Sequence, residues 1–315
     1  GCGGSYGGAL SGAAPDYCKV CQGMGADVTR LRGNGLPPVY ALYINGRLQF
    51  SSIDEHIYHT FLVHPTLAAS ARHNKVLIIG GGDGLGLKQV LRWEPEQVTL
   101  LDLDVGLVQL FKSPDTDMPD SLSRAMLALN GNALNDPRVT VINDDAFNGV
   151  DKLIATGVKY DAIIVDLPDP SHPDLNKLYS DYFYRKLKEL MSSDGALTVQ
   201  STSPYHAPKA FISVAKTLAL AGFDVKQYHH NVPSFGEWGW SIATLGGLDA
   251  QHRLAKLTEL PIKDDWLTLG LVDGAFEFPA NFYQDAANIK PNELGSLQLY
   301  HYHLQDWSEN QGLDL

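Results

Sequence analysis

The strongest constraint on this chain is a short apolar run that stops on glycine. Val76-Leu77-Ile78-Ile79 leads straight into Gly80-Gly81-Gly82-Asp83-Gly84-Leu85-Gly86. An apolar tetrad without polar alternation suits a strand covered on both faces. Glycines directly after it let the backbone turn sharply, and a following helix completes a strand-turn-helix unit. Comparable runs recur at Val98 to Leu103, Val139 to Ile142, Ala162 to Val165 and Ala196 to Val199. Helical patterns near Leu85 to Trp93, Ser121 to Leu129, Ala146 to Ala155 and Ser180 to Met191 lie between them. Strands alternating with helices predict an α/β fold, a doubly wound and mostly parallel sheet with right-handed crossovers. Lys209 to Ala221 reads as a further helix, and Val225 to His230 and Trp238 to Leu245 as closing strands.

Upstream the pattern differs. Val39 to Ile44 and Arg47 to Phe50 flank Asn45-Gly46, a pair suited to the positive φ angles of a type I′ hairpin turn. From Asp54 to Ala69 apolar residues recur at helical spacing, with Asp54 as the expected N-cap. The expected divisions are therefore 1–35, a flexible or atypical N-terminal segment; 36–70, a β-hairpin with its linking helix; and 71–315, the doubly wound domain. The first 14 residues are mostly Gly, Ala and Ser and read as a flexible lead-in. A chain opening on glycine reads as a fragment, a processed form or a tagged chain. Its glycine-rich opening is compatible with a removed lipoprotein signal or a preceding membrane region. No apolar run approaches the roughly 20 residues needed to cross a bilayer. The expected location is cytoplasmic, with membrane attachment of a longer precursor left open.

With 24 basic and 36 acidic side chains the net charge is −12, which argues against nucleic acid as a partner. Such a field favours cationic small molecules instead. The three cysteines, Cys2, Cys18 and Cys21, include one Cys-x-x-Cys without a second ligand pair. They read as free thiols or an incidental disulfide rather than a zinc site. The histidines are scattered, and His229-His230 has no companion ligands in sequence, so no metal is expected.

The chemistry-bearing residues cluster where strands end. Gly80, Gly82 and Asp83 form the turn after the first strand of the large domain. Asp102 and Asp104 end the next strand about 20 residues on, where an acid can accept hydrogen bonds from ribose hydroxyls. A carboxylate in the turn itself would repel the phosphates of a dinucleotide, so a neutral or cationic nucleoside fits better. Asn143-Asp144-Asp145 follows the third strand, either to meet an adenine edge or to cap the next helix. Asp166-Leu167-Pro168-Asp169-Pro170 ends the fourth, at the edge where open α/β sheets bind ligands. Two carboxylates stiffened by prolines can hold a cation, and one can accept a proton.

Taken in order, these motifs resemble the spermidine synthase family. The resemblance rests on Tyr43 to Gln49, Asp54 to His59, Val76 to Gly84, Asp166 to Pro170 and Gly236 to Trp240, with Phe278-Pro279 and Tyr300 to Trp307 further on. It implies a fold of the S-adenosylmethionine-dependent methyltransferase type. It also implies transfer of an aminopropyl group from decarboxylated S-adenosylmethionine to a polyamine such as putrescine, giving spermidine and 5′-methylthioadenosine. Decarboxylated S-adenosylmethionine would be a co-substrate, with no tightly bound cofactor, and the assembly a homodimer or larger. By the same resemblance Gln49, His59, Gly80, Gly82, Asp83, Asp102, Asp144, Asp145 and Pro173 would hold the nucleoside or its aminopropyl arm. Asp166 would be the general base, with Tyr58 and Asp169 fixing the acceptor amine. Leu167 and Pro168 stand where many family members carry Ser or Thr, Phe235 where a Tyr is common, and His172 where a glycine is usual.

Electrostatics favours those roles. Donor and acceptor are both cations, and at about 4 Å in an effective dielectric near 20 they repel by roughly 4 kcal/mol. Carboxylates at Asp83, Asp166 and Asp169 can offset that. Two other readings use the same pocket: a methyltransferase acting with ordinary S-adenosylmethionine, and a non-catalytic module that binds nucleoside or polyamine.

Overall fold

The computed structural model describes residues 15–21, 26–31, 38–44, 47–114 and 120–310, with side chains described from residue 38 to 309 within those ranges. The chain opens with β1 (Pro15–Cys21), β2 (Ala26–Leu31), β3 (Val39–Ile44) and β4 (Arg47–Ser51). These pair in the order β1-β2-β3-β4, every neighbour antiparallel. The expected hairpin is thus two strands of a four-stranded sheet, and the segment expected to be flexible or atypical supplies the other two. Tyr17-Cys18-Lys19 and Val28-Thr29 are short runs that pair with each other, and β2 in turn pairs with β3, so they are defined by their partners more than by any local signal. The Asn45-Gly46 turn and Cys2 lie outside the described residues, as do the side chains of Cys18 and Cys21.

α1 (Glu55–Ala69) joins the small sheet to the large one and is buried along most of its length. Pro65 inside it has no N–H for the Phe61 carbonyl four residues back. The Tyr228 hydroxyl donates to that carbonyl instead, so the interior proline is tolerated and α1 is tied to the large domain.

The large domain runs β5 (Lys75–Gly80), α2 (Leu85–Leu91), β6 (Gln97–Leu101), α3 (Val105–Lys112), α4 (Asp120–Leu129) and β7 (Val139–Ile142). It continues with α5 (Ala146–Ala155), β8 (Tyr160–Asp166), α6 (Pro173–Asn176), α7 (Asp181–Leu190), β9 (Met191–Gln200) and α8 (Pro208–Leu220). It closes with β10 (Asp224–Val232), β11 (Gly236–Thr244), α9 (Ala250–Leu254), α10 (Leu269–Ala275) and α11 (Gln298–Asn310). The seven strands lie in the order β10-β11-β9-β8-β5-β6-β7. The five from β9 to β7 are parallel; β11 pairs antiparallel with β9, and the edge strand β10 pairs antiparallel with β11. The doubly wound, mostly parallel sheet expected from the apolar runs is borne out.

The continuous apolar runs have a simple cause. Val76 and Ile78 point into one core with Phe61, Leu62, Leu100 and Ile164. Leu77 and Ile79 point into the other with Ile163, Val165, Phe183 and Leu187. Both faces of β5 are covered from Val76 to Ile79, so only its exposed first residue, Lys75, is free to be polar. The chain leaves β5 for β6 and β7 on one side, then returns to β8 and β9 on the other. The order reverses between β5 and β8, and a crevice opens at their carboxyl ends.

Candidate active site

At that reversal β5 and β8 end almost in contact. Gly80 has φ +80°, and a side chain on it would meet the Asp166 backbone. A Cβ on Gly82 would stand 2.6 Å from Asp102 Oδ2 and 2.9 Å from Val108. These two glycines are therefore what lets the turn lie against both acids.

A cavity of about 1180 Å³ opens here, lined from the small sheet by Leu42, Ile44, Arg47, Leu48 and Gln49. From the large domain come Gly80 to Asp83, Leu101 to Asp104, Leu107, Asp145 and Ala146, then Asp166 to Asp169 and Gln200. Seven aspartates reach it, against Arg47, Lys177 and His59, so its net character suits a cation.

Asp166, the last residue of β8, accepts a hydrogen bond from the Tyr58 hydroxyl at 2.6 Å. Burial raises the Asp166 carboxyl above its ordinary range, while the neighbouring His59 charge and the Tyr58 bond pull the other way. Burial and the Asp166 charge push the Tyr58 phenol well above its usual value, so it remains a donor. His59 Nδ1 lies 2.7 Å from Glu55 Oε2 and 2.9 Å from the Glu55 carbonyl. Both are acceptors, so Nδ1 carries a proton. Burial alone would lower the His59 pKa, but Glu55, with Asp83 and Asp166 beyond it, carries it up to about 9. Asp83 is pushed up to about 6 by burial and by Asp166, against the opposing charge of His59. Asp102 also reaches about 6 through burial, opposed by the amides of Asp104 and Gly82.

The acids expected to bind ligand divide in two. Asp104 caps α3, accepting from the Leu107 amide at 2.8 Å, and like Asp102 it also lines the cavity. Asp145 caps α5 through the amides of Phe147 and Asn148 and also touches the cavity. Asp144 lies outside the lining and pairs with Lys152 at 2.7 Å. Pro173 opens α6 and is not part of the lining, although its neighbours Asp174 and Leu175 are. Gln49, Tyr58, His59, Gly80, Gly82, Asp83, Asp102, Asp145, Asp166 and Asp169 all reach one cavity. Asp54 stands at the N-cap position of α1 but makes no side-chain cap. Its carboxylate instead accepts from the Ser234 amide and hydroxyl at 2.6 and 2.8 Å, pinning the loop that carries Phe235 over the cavity.

Other side chains of the site were not expected from sequence. Gln200 Nε2, at the end of β9, shares its two N–H groups among the Leu167 carbonyl, the Tyr179 hydroxyl and Asp169 Oδ1, all within hydrogen-bond distance. Trp238 Nε1 holds the Gln200 carbonyl oxygen at 3.2 Å. The Tyr179 hydroxyl donates to the Pro168 carbonyl at 2.8 Å, so this loop is braced through its backbone where hydroxyl side chains are missing. α11 brings Tyr300, His303, Leu304 and Trp307 to the far wall. His172 caps α6 and faces solvent. His229 is engaged by Glu237 at 2.8 Å and by the Glu277 carbonyl. Among the described residues no group of three His, Cys, Asp or Glu is placed to hold a metal, and no helix is long and apolar enough to cross a membrane.

Comparison with known proteins points to one family. Residues 55–252 match the spermine/spermidine synthase domain. A polyamine aminopropyltransferase of Shewanella oneidensis is 90% identical over 286 residues, 91% of this chain and 50% of that protein. Polyamine aminopropyltransferase 2 of Ralstonia nicotianae is 40% identical over 267 residues, 84% of this chain and 49% of that protein. The chain thus spans about half the length of these curated relatives. Among solved structures, a spermidine synthase in complex with the transition-state analogue AdoDATO superposes with a TM-score of 0.67 at 20% identity, covering 85% of this chain and 86% of that one. Spermidine synthase from Thermotoga maritima gives 0.66 at 20% identity, covering 88% and 89%.

Proposed function

The chain belongs to the spermine/spermidine synthase family, and from that premise we propose that it transfers an aminopropyl group from decarboxylated S-adenosylmethionine to a polyamine such as putrescine in the cytoplasm. The observation that carries this reading is Asp166, bonded to Tyr58 at 2.6 Å and set against the glycine turn where the sheet order reverses. Asp102 suits the ribose hydroxyls, with Gln49 and Leu107 lining the same cavity. Asp83 suits the cationic aminopropyl arm, since its Oδ1 is already held by the Leu85 amide at 2.9 Å and its charge faces the cavity. His59 and Glu55 largely cancel each other, so the anionic field comes from the cavity's aspartates, with Asp83, Asp102 and Asp166 nearest the glycine turn.

The acceptor arrives as an ammonium with a pKa near 10.4 and must lose a proton to become a nucleophile. Asp166 takes that proton as the nitrogen attacks the methylene beside sulfur. The C–N bond forms, the C–S bond breaks, and its electron pair stays on sulfur, turning the sulfonium into the neutral thioether of methylthioadenosine. A base raised by burial is better matched to neutral pH than an ordinary carboxylate. Holding nucleophile and electrophile in near-attack geometry contributes several kcal/mol more.

Tyr58→Phe removes a hydrogen bond to a charged group, worth about 1.5–3 kcal/mol. The expected loss in kcat/KM is about 10- to 100-fold. That bond favours the carboxylate, so without it the Asp166 pKa rises further and the acidic limb of the pH–kcat/KM profile moves to higher pH. A limb that stays in place would show that Tyr58 does not tune Asp166. The function itself is tested by single-turnover assays over a panel of diamines with decarboxylated S-adenosylmethionine. No methylthioadenosine from any amine would leave a binding module as the reading.

A further inference from the structure

The far wall of the cavity is built by α11, which begins 46 residues after the end of the matched family domain at residue 252. The helix is firmly seated. Asp306 is buried and accepts from the Ala210 amide at 3.0 Å, in the first turn of α8, where Ala207 offers no side-chain cap. The Tyr300 amide donates to Asn176 Oδ1 at 3.1 Å, and the Trp307 ring stacks on His206 at 5.7 Å with planes 10° apart. From this helix His303 meets Asp169, a residue of the catalytic loop.

His303 Nε2 lies 2.8 Å from Trp307 Nε1 and 3.3 Å from Asp169 Oδ2. An indole nitrogen can only donate, and an imidazole nitrogen has a single in-plane site that holds either a proton or a lone pair. With Trp307 donating, Nε2 is bare and the ring carries its proton on Nδ1. His303 then cannot donate to the carboxylate beside it. Among the described residues Asp169 then keeps uncharged donors alone, Gln200 on Oδ1 at 3.1 Å and Thr202 on Oδ2 at 3.2 Å.

We propose that Trp307 is a positioning residue that holds His303 in its neutral Nδ1–H form, so that Asp169 stays available as the anion that binds the acceptor's ammonium. This deepens the function proposed above and rests on it. Without the indole N–H, Nε2 takes up a proton and donates to Asp169, and the resulting ion pair competes with the substrate for one carboxylate. The appended helix thus sets amine affinity without touching the reacting atoms.

Trp307→Phe keeps a ring to stack on His206 and removes the N–H. The expected result is a rise in amine KM on the order of tenfold, about the effect of 1.4 kcal/mol. The maximal rate and methylthioadenosine affinity should stay within about twofold. Adding His303→Gln should return KM toward the parent value, because an amide cannot become a cation. 15N spectra of the imidazole should show a bare Nε2 in the parent chain and a protonated Nε2 in Trp307→Phe. An unchanged amine KM, a fall in rate and affinity together, a double variant no better than the single, or an Nε2–H ring in the parent would each overturn the proposal. If Trp307→Phe does not fold, the parent spectrum decides alone. Failure of the proposed function would appear separately, as no amine-dependent methylthioadenosine release by the parent chain.

Discussion

Asp166→Asn is expected to lower kcat by about 10²- to 10⁴-fold, the range that a positioned base contributes. Methylthioadenosine affinity should change by less than tenfold. The reason is geometric. Asn keeps an oxygen to accept the Tyr58 hydroxyl, and the backbone of residue 166 still closes against Gly80, so the crevice survives. What is lost is the ability to take a proton from an amine that is almost wholly protonated at neutral pH. Rapid-quench measurement of methylthioadenosine separates the two quantities. A variant that kept most of its rate would show that the proton leaves by another route, and Asp169 would then be the group to examine.

Asp83→Asn has the second-largest expected effect, and on binding rather than on the chemical step. Its Oδ1 would still accept from the Leu85 amide, so the turn into α2 is kept while the charge is removed. Truncating one member of a buried charge pair costs about 2–5 kcal/mol. An increase in donor KM on the order of 10²-fold follows. The same charge should also discriminate between donors. Under the proposed function, ordinary S-adenosylmethionine carries an extra carboxylate on the arm that Asp83 would face, and the wild-type carboxylate would repel it. The variant should therefore narrow the preference for the decarboxylated donor, as measured by competition against methylthioadenosine formation. An unaltered preference would place the aminopropyl arm elsewhere and reopen the methyltransferase reading.

These groups differ in how far sequence alone could find them. Asp83 and Asp166 were legible because they follow fully apolar strands, and both faces of β5 and β8 are buried. Only their ends can carry charge. Asp102 and Asp104 are both acids at a strand end and both line the cavity, and sequence could not say which of them caps α3. Asp144 and Asp145 posed the same choice; capping took Asp145, and Lys152, eight residues on, took Asp144. Asp54 has the spacing of an N-cap, yet Ser234 claims its carboxylate from 180 residues away. Gln200, Trp238 and the α11 residues are defined only by packing. Gln200 simply ends a strand, and the apolar spacing of α11 is that of any surface helix. The single signal that pointed to α11 was its place in the family resemblance at Tyr300 to Trp307.

The acids gathered where β5 and β8 meet carry a consequence for folding. Asp83 and Asp102 titrate near 6 in the fold against an ordinary 3.8, and His59 near 9 against 6.5. All three are raised, so between these limits the folded chain binds more protons than the unfolded one. Their contribution to stability is fully present below the unfolded values and is lost as pH rises through 6 and then 9. Each such proton changes stability by about 1.4 kcal/mol per pH unit across its window. Calorimetry of the unliganded protein should therefore show these groups favouring a higher melting temperature near pH 5.5 than near pH 7.5. A cationic nucleoside should narrow that gap by binding the ionised form. Locally frustrated charge would then make the substrate a folding partner for the very residues that act on it.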